Sequence, residues 1–220
     1  MTTTSYKDLN KLMEHFESVS WCANSLRAPG IIPIIPPARL DPQHLPEGAL
    51  PSRDQLFRRL LDQEEGVPYI LGFYEDPLIH SKSPKYSDLP FLAPSLSLLF
   101  DLRSGLSGFN GTAHGGFIGT MMDEMMGTLI FQNDLMNRAA KAKGLIPASA
   151  KDFMSLAYVT ARMEISYRRP LVIPQIVVAT ATLERSEGRK TYIDVAIKDG
   201  DGKEYAAGRG TWISIPRPKL

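Results

Sequence analysis

His114-Gly115-Gly116, six further residues and then Asp123 form the part of this chain whose residue types and spacing suit chemistry. From Gly115 to about Phe131, apolar residues at 118, 121, 122, 125, 126, 129 and 130 cover nearly the whole circumference of a helix. His114-Gly115-Gly116 therefore stands at a helix start, where unpaired backbone N–H groups and the helix dipole favour a developing negative charge. Two glycines let a ligand come right up to those donors. Asp123 lies two turns further along a stripe shared with Gly116, Gly119, Thr120 and Gly127. A carbonyl polarised by an N–H, with a carboxylate that activates water or attacks directly, is an arrangement for hydrolysing a carbonyl compound.

The same residues admit a plainer reading. Each interior glycine costs a helix up to about 1 kcal/mol relative to alanine, so the stripe needs a reason. Close packing of a sheet or second helix is one such reason, with Asp123 merely accepting a hydrogen bond. Glu124 lies about 100° further round the helix. It sits beside Phe117, Thr120, Met121 and Thr128 and is expected at a helix edge, in an interface or in a salt bridge, outside catalysis. Met121, Met122, Met125 and Met126 read as adaptable core.

The elements around this helix follow from periodicity and turn residues. A short helix is expected at 7–19, and prolines at 29, 33, 36, 37, 42, 46 and 51 imply an extended arm without regular structure. Ser52-Arg53-Asp54-Gln55 has the form of a capping box opening an amphipathic helix with Leu56, Phe57, Leu60 and Leu61 that stops at Gly66. A short strand is expected at 68–74, then a second proline-rich connection. Ser95 to Leu102 reads as a strand, Gly105 to Gly111 as a glycine-rich loop, and 132–155 as a polar, alanine-rich segment extending or following the helix. Tyr158 to Tyr167 alternates Val159, Ala161, Met163 and Ile165 against polar neighbours, the period of a half-buried strand. Strands at 176–185, 190–198 and 204–215 follow, separated by Glu187-Gly188 and Asp199-Gly200-Asp201-Gly202 turns. The fold class is α+β: an antiparallel sheet wrapped around a central helix, preceded by a proline-rich and helical extension. The boundaries expected are 1–92 for the extension and 93–220 for the main domain.

At this point the sequence resembles a known family. His114-Gly-Gly-x6-Asp123 is similar to the HGG-x6-D motif of the hotdog-fold acyl-CoA thioesterases, in the branch of the phenylacetate-pathway enzymes and the mammalian thioesterase superfamily members. Tyr158 to Pro170 (YVTARMEISYRRP) is similar to that family's strand ending in Tyr-x-Arg-Pro, Glu187 to Lys190 to its following turn, and Gly210-Thr-Trp-Ile213 to its last strand. The resemblance covers about residues 93–215. It implies hydrolysis of a thioester, carried by CoA or by an acyl carrier protein, at sites on the interface of a homodimer that can pair into a tetramer. It also implies roles. Gly116 N–H would hold the thioester oxygen, with Gly115 beside it, and Asp123 would act as base or nucleophile. Thr160 would help to place the water or the acid, and His114 would orient the loop. Asn110 would contact the loop backbone near the substrate. Phosphates of CoA need cations, for which Arg189 and Lys190 are the first choice, ahead of Arg168, Arg169 and Arg185. The first ninety residues and the 132–155 insert depart from the minimal bacterial enzymes; capping the acyl tunnel or packing a dimer would each account for them. Two rival readings are a non-hydrolytic hotdog enzyme, dehydrating or cyclising a polyketide-like intermediate, and a non-catalytic acyl-binding module.

Composition limits the remaining classes. With 25 Lys and Arg against 24 Asp and Glu, charge gives no sign of a nucleic-acid surface or a polybasic membrane anchor. Cys22 is the only cysteine, so no intrachain disulfide forms and a cysteine-based zinc cluster is excluded. His15, His44 and His80 lack metal-ligand spacing, and neither a Gly-x-Ser-x-Gly elbow nor a P-loop occurs. No metal or redox cofactor is expected, CoA entering only as part of the substrate. The amino terminus lacks signal-peptide character and no stretch is apolar enough to span a bilayer, so the cytoplasm is expected. The closing Pro218-Lys219-Leu220 partly matches a peroxisomal ending.

Overall fold

The computed structural model describes residues 7–41, 54–77, 92–144 and 156–216. Helices α1 (Leu9–Glu17) and α2 (Ser20–Leu26) lead into strands β1 (Ile31–Ile34) and β2 (Ile70–Glu75), then β3 (Ser95–Leu102) and a small hairpin of β4 (Ser107–Phe109) and β5 (Thr112–Ala113). The long helix α3 (Gly115–Ala142) follows, and the chain closes with β6 (Leu156–Tyr167), β7 (Gln175–Glu187), β8 (Lys190–Lys198) and β9 (Glu204–Pro216). Seven strands form one antiparallel sheet in the order β1-β2-β3-β7-β8-β9-β6. α3 packs against β3, β6, β7, β8 and β9, so the sheet wraps it as the hotdog arrangement requires.

The all-round apolar surface of α3 explains the enclosure. Met121, Met122, Met125, Met126 and Leu129 are fully buried among inward residues of the sheet, including Leu98, Phe100, Val177, Ile193 and Ala206. The polar continuation of α3 is also accommodated: Asn133 exchanges two 2.9 Å hydrogen bonds with the backbone of Ala93. Residues 145–155 of the insert lie outside the described residues.

The sheet has a second covered face. Along β3 the even positions Leu96 to Leu102 point at α3, while Leu99 points outward into a separate cluster of Leu12, Phe16, Cys22 and Leu26 from α1 and α2. His15 joins this layer through a 2.9 Å bond to Asp101 and by stacking 3.6 Å from Tyr69. Burial pushes the Cys22 thiol up to about 12, so it behaves as a small hydrophobe.

Three expectations about the first ninety residues change. The proline-rich arm contains β1 with Pro33 inside it, because an edge strand needs ladder donors on one side only. A second helix, α2, follows the first after a break at residues 18–19. The capping-box helix is a single wide turn, Leu56–Leu60, started by Asp54, whose Oδ1 accepts from Phe57 N at 3.2 Å; Ser52 lies outside the described residues. β1 and β2 thus continue the sheet of the following segment across residue 92.

Phe16 has no exposed surface and anchors the outer layer. Phe16→Ala is expected to cost about 3–5 kcal/mol by loss of transfer energy and cavity formation. Urea denaturation followed by circular dichroism reads that loss; a change under about 1 kcal/mol would mean α1 contributes little to the fold.

Candidate active site

Three local structures position the candidate residues. First, the β4–β5 hairpin turns on Asn110-Gly111, both at positive φ (40° and 70°), the backbone that Asn-Gly adopts readily. Asn110 is therefore a turn-forming residue with an exposed side chain, and it sets the approach to the helix. Second, His114 caps α3. Its backbone N–H bonds Leu106 O at 2.9 Å and its ring lies over Gly108, where a Cβ would come within 2.9 Å of Cδ2. Its Nδ1 accepts from Gly116 N at 3.0 Å. Gly116 N–H, the donor expected to face a substrate, is thus taken by the imidazole, and Gly115 and Phe117 are the other first-turn residues without a carbonyl four residues back in the helix.

Third, β6 carries a bulge. Thr160 and Arg162 pair with the consecutive residues Trp212 and Thr211, leaving Ala161 as the extra residue. A bulge reverses which face the following residues occupy. Met163 and Ile165 face α3 as the alternation implies, but Val159, expected inward, is 44% exposed, and Tyr158 packs into the core instead. The same reversal aims Thr160 at the helix: its Oγ1 donates to Asp123 Oδ1 at 2.6 Å. Gly119 lets β6 lie close to the helix, since Ile165 Cδ1 already sits 3.1 Å from where a Cβ would be.

Asp123 is half-buried and holds a hydroxyl donor. The geometry matches the plainer reading of the stripe: the small residues admit β6, and the carboxylate accepts a hydrogen bond from a β6 side chain. Tyr167, at the far end of the same strand, donates from its hydroxyl to Gly115 O at 2.9 Å and tethers the helix start. Tyr167 continues the odd-numbered inward alternation of Met163 and Ile165, and that alternation is the sequence signal for its contact with the helix start.

The candidate cations fall at two separate places, Arg189 and Lys190 at one and Arg168 at the other. Arg189 is tied by Nε to Ser214 O at 2.9 Å, and Lys190 opposes Ile213 beside it. Arg168 lies at the opposite end of β9, next to Tyr167, which opposes Ala206, and reaches Glu204 at 3.6 Å. Seven residues of strand, about 24 Å, separate the two ends, so within one chain one phosphate cannot touch both. Among the described residues no group of three His, Cys, Asp or Glu is placed to hold a metal ion, and no helix is long and apolar enough to cross a membrane.

Glu124 is half-buried beside Asp54, and Thr128 Oγ1 donates to it at 3.3 Å. Burial raises its pKa well above 4.5, and the charge and hydrogen bond of Asp54 raise it further; Thr128 acts the other way and Asp123 adds a smaller push upward. A carboxyl whose folded-state pKa exceeds its unfolded value stabilises the fold fully below the unfolded value and loses that contribution as pH rises through the folded one. Glu124→Gln is therefore expected to gain stability relative to wild type as pH rises from about 5 to 8. Urea midpoints across that range check it; a difference independent of pH would mean Glu124 does not titrate in the fold.

Residues 110–206 match the family model described as the thioesterase superfamily. The verlamelin biosynthesis protein B of Lecanicillium sp is 28% identical, over 76% of this chain and 76% of its own. The acyl-coenzyme A thioesterase THEM4 of Rattus norvegicus is 28% identical over 69% of this chain, which spans 50% of that relative's length. Among solved structures, a Streptococcus mutans UA159 protein bound to acetyl CoA aligns with TM-score 0.44 at 15% identity, covering 57% of this chain and 85% of that one. The Escherichia coli PaaI protein of the phenylacetic acid degradation operon aligns with TM-score 0.41 at 17% identity, covering 55% and 76%.

Proposed function

We propose that this chain, whose residues 110–206 match the thioesterase superfamily model, hydrolyses an acyl thioester, carried by CoA or by an acyl carrier protein, to the free acid and thiol. The observation that carries this reading is the 2.6 Å bond from Thr160 to Asp123. It fixes one carboxylate oxygen and leaves the other to take a proton from water as the water oxygen bonds to the thioester carbon, or to attack that carbon itself. The tetrahedral oxyanion is held by N–H donors at the start of α3, with Gly116 N–H released when His114 turns away, and collapses with loss of the thiolate, which takes the proton that Asp123 accepted from water. Where Asp123 itself attacks, the thiolate takes its proton from solvent and water then hydrolyses the acyl-aspartyl anhydride to the free acid. Arg189 and Lys190, exposed at one strand end, suit the phosphates of CoA.

The active unit in this reading is a homodimer. Gly116 and Asp123 are seven residues apart on one helix, about 10 Å along its axis, too far to serve one carbonyl from the same chain. β6 ends the sheet, so a second copy can add its own β6 antiparallel. Pairing about the middle of β6 sets the Tyr167 end of one copy, which touches Gly115, opposite the Thr160 end of the other, which holds Asp123. The two halves of a site then meet across the interface.

Thiol release from short, medium, long and aromatic acyl-CoAs tests the chemistry. Asp123→Asn is expected to lower kcat by about two orders of magnitude or more, as for loss of a general base or nucleophile. No release from any thioester, or turnover insensitive to Asp123→Asn, would overturn it. Mixing tests the composite site: Asp123→Asn and Gly116→Val chains, each inactive alone, should recover about a quarter of wild-type activity on random dimer exchange, since half the dimers then hold one intact site. Mixtures as inactive as their components would place both halves in one chain.

A further inference from the structure

The peptide unit that joins Gly115 to Gly116 is held at both of its polar ends. Its N–H, on Gly116, donates to His114 Nδ1 at 3.0 Å, and its carbonyl, on Gly115, accepts from the Tyr167 hydroxyl at 2.9 Å. A peptide unit is planar and stiff, so fixing the direction of its C=O fixes the direction of its N–H, which points the opposite way. This unit needs fixing. It lies between two glycines, where no Cβ restricts rotation, and its N–H is in the first helical turn, without an intrahelical acceptor. The Tyr167 ring lies against Gly115, with Cε1, Cζ and Oη each 3.6 Å from where a Cβ would be. The next peptide unit has only a local brace: Thr120 Oγ1 donates to Gly116 O at 3.0 Å from within α3 and moves with the helix. Tyr167 instead belongs to β6, the strand that also carries Thr160 and through it orients Asp123.

We infer that Tyr167 is a positioning residue for thioester hydrolysis: its hydroxyl orients and strengthens the Gly116 N–H that holds the developing oxyanion. The inference rests on the thioesterase reading. His114 occupies that N–H in this structure, so a thioester has to put its own carbonyl oxygen in place of the imidazole. When the imidazole leaves, one of the two ties on the peptide unit goes with it. The Tyr167 bond is the other tie. It is made at the opposite edge of the plane, so the exchange of acceptors leaves it intact and the N–H stays aimed. It also changes donor strength. A hydrogen bond on the carbonyl draws electron density from the nitrogen of the same unit, a cooperative gain of about 10–30% per bond. That gain matters most when the acceptor carries most negative charge, in the tetrahedral intermediate, so it falls on kcat rather than on substrate binding.

Two substitutions separate the hydroxyl from the ring. Tyr167→Phe keeps the ring on Gly115 and removes the hydroxyl, while Tyr167→Leu removes both. With an acyl-CoA that wild type cleaves, Tyr167→Phe is expected to lower kcat by about three- to tenfold and to change KM by less than about twofold, the scale of one hydrogen bond. Tyr167→Leu is expected to lose at least as much. Full kcat in Tyr167→Phe, with any loss confined to KM or to Tyr167→Leu, makes Tyr167 a packing residue and overturns the inference while the thioesterase reading stands. A second measurement needs no turnover. In the Asp123→Asn protein, infrared difference spectra of an acyl-CoA isotope-labelled at the thioester carbonyl show how far binding lowers the C=O stretch, and adding Tyr167→Phe is expected to return part of that shift. If wild type cleaves nothing and this return is seen, the thioesterase reading falls and the donor role of the peptide stands. An unchanged carbonyl frequency, or no bound carbonyl signal, overturns the inference. Should Tyr167→Phe fail to fold, a ring-fluorinated tyrosine at position 167, a stronger donor of nearly the same shape, is expected to lower the stretch further, and no change overturns the inference.

Discussion

A helix with no polar face has to be enclosed, and the rest of this structure follows from enclosing α3. Four methionines and a leucine without exposed surface cover most of the circumference of its central turns, leaving only the side of Thr120, Asp123, Glu124 and Gly127 partly open. One twisted sheet can wrap such a rod only if it is wide, and here it reaches seven strands by recruiting β1 and β2 from the N-terminal segment. Width creates a second apolar face, which α1 and α2 cover. The enclosure is also why a carboxylate on α3 matters. Asp123 sits where small residues replace methionine, at the seam between helix and β6, and it is met there by a hydroxyl rather than left unpaired.

That seam depends on one irregular residue. Regular pleating from Met163 backwards would turn Thr160 out of the sheet's inner face. Ala161 absorbs the parity change, so Tyr158 enters the core, Val159 leaves it and Thr160 reaches Asp123. The alanine has no chemistry of its own. Its contribution is a count of residues, which is why the inward alternation of Val159 and Ala161 failed while that of Met163 and Ile165 held.

The legible parts of the chain were those governed by short-range rules. The strand from Ser95 to Leu102, the start of α3 at His114 and the turns after Glu187 and Lys198 all rest on period or turn chemistry, and the structure reproduces them. The pairing of Thr160 with Asp123 was anticipated through family resemblance; nothing in local pattern joins residues thirty-seven positions apart. The N-terminal segment was the least legible. Pro33 argues against a strand unless the strand is at an edge, and edge position is a property of the finished sheet. The neighbour of Glu124 was not legible either, because Asp54 comes from a distant turn.

The turn that carries Asp54 and Arg58 is fixed to its own surroundings by Asp54 on Phe57 N and by Arg58 on Pro37 O, while Asp123 takes its orientation from β6. The Asp54–Arg58 turn and the Asp123 carboxylate are thus held by separate stretches of polypeptide that meet only across a space. A substitution in the first stretch can reshape that space while the Thr160–Asp123 contact stays as it is.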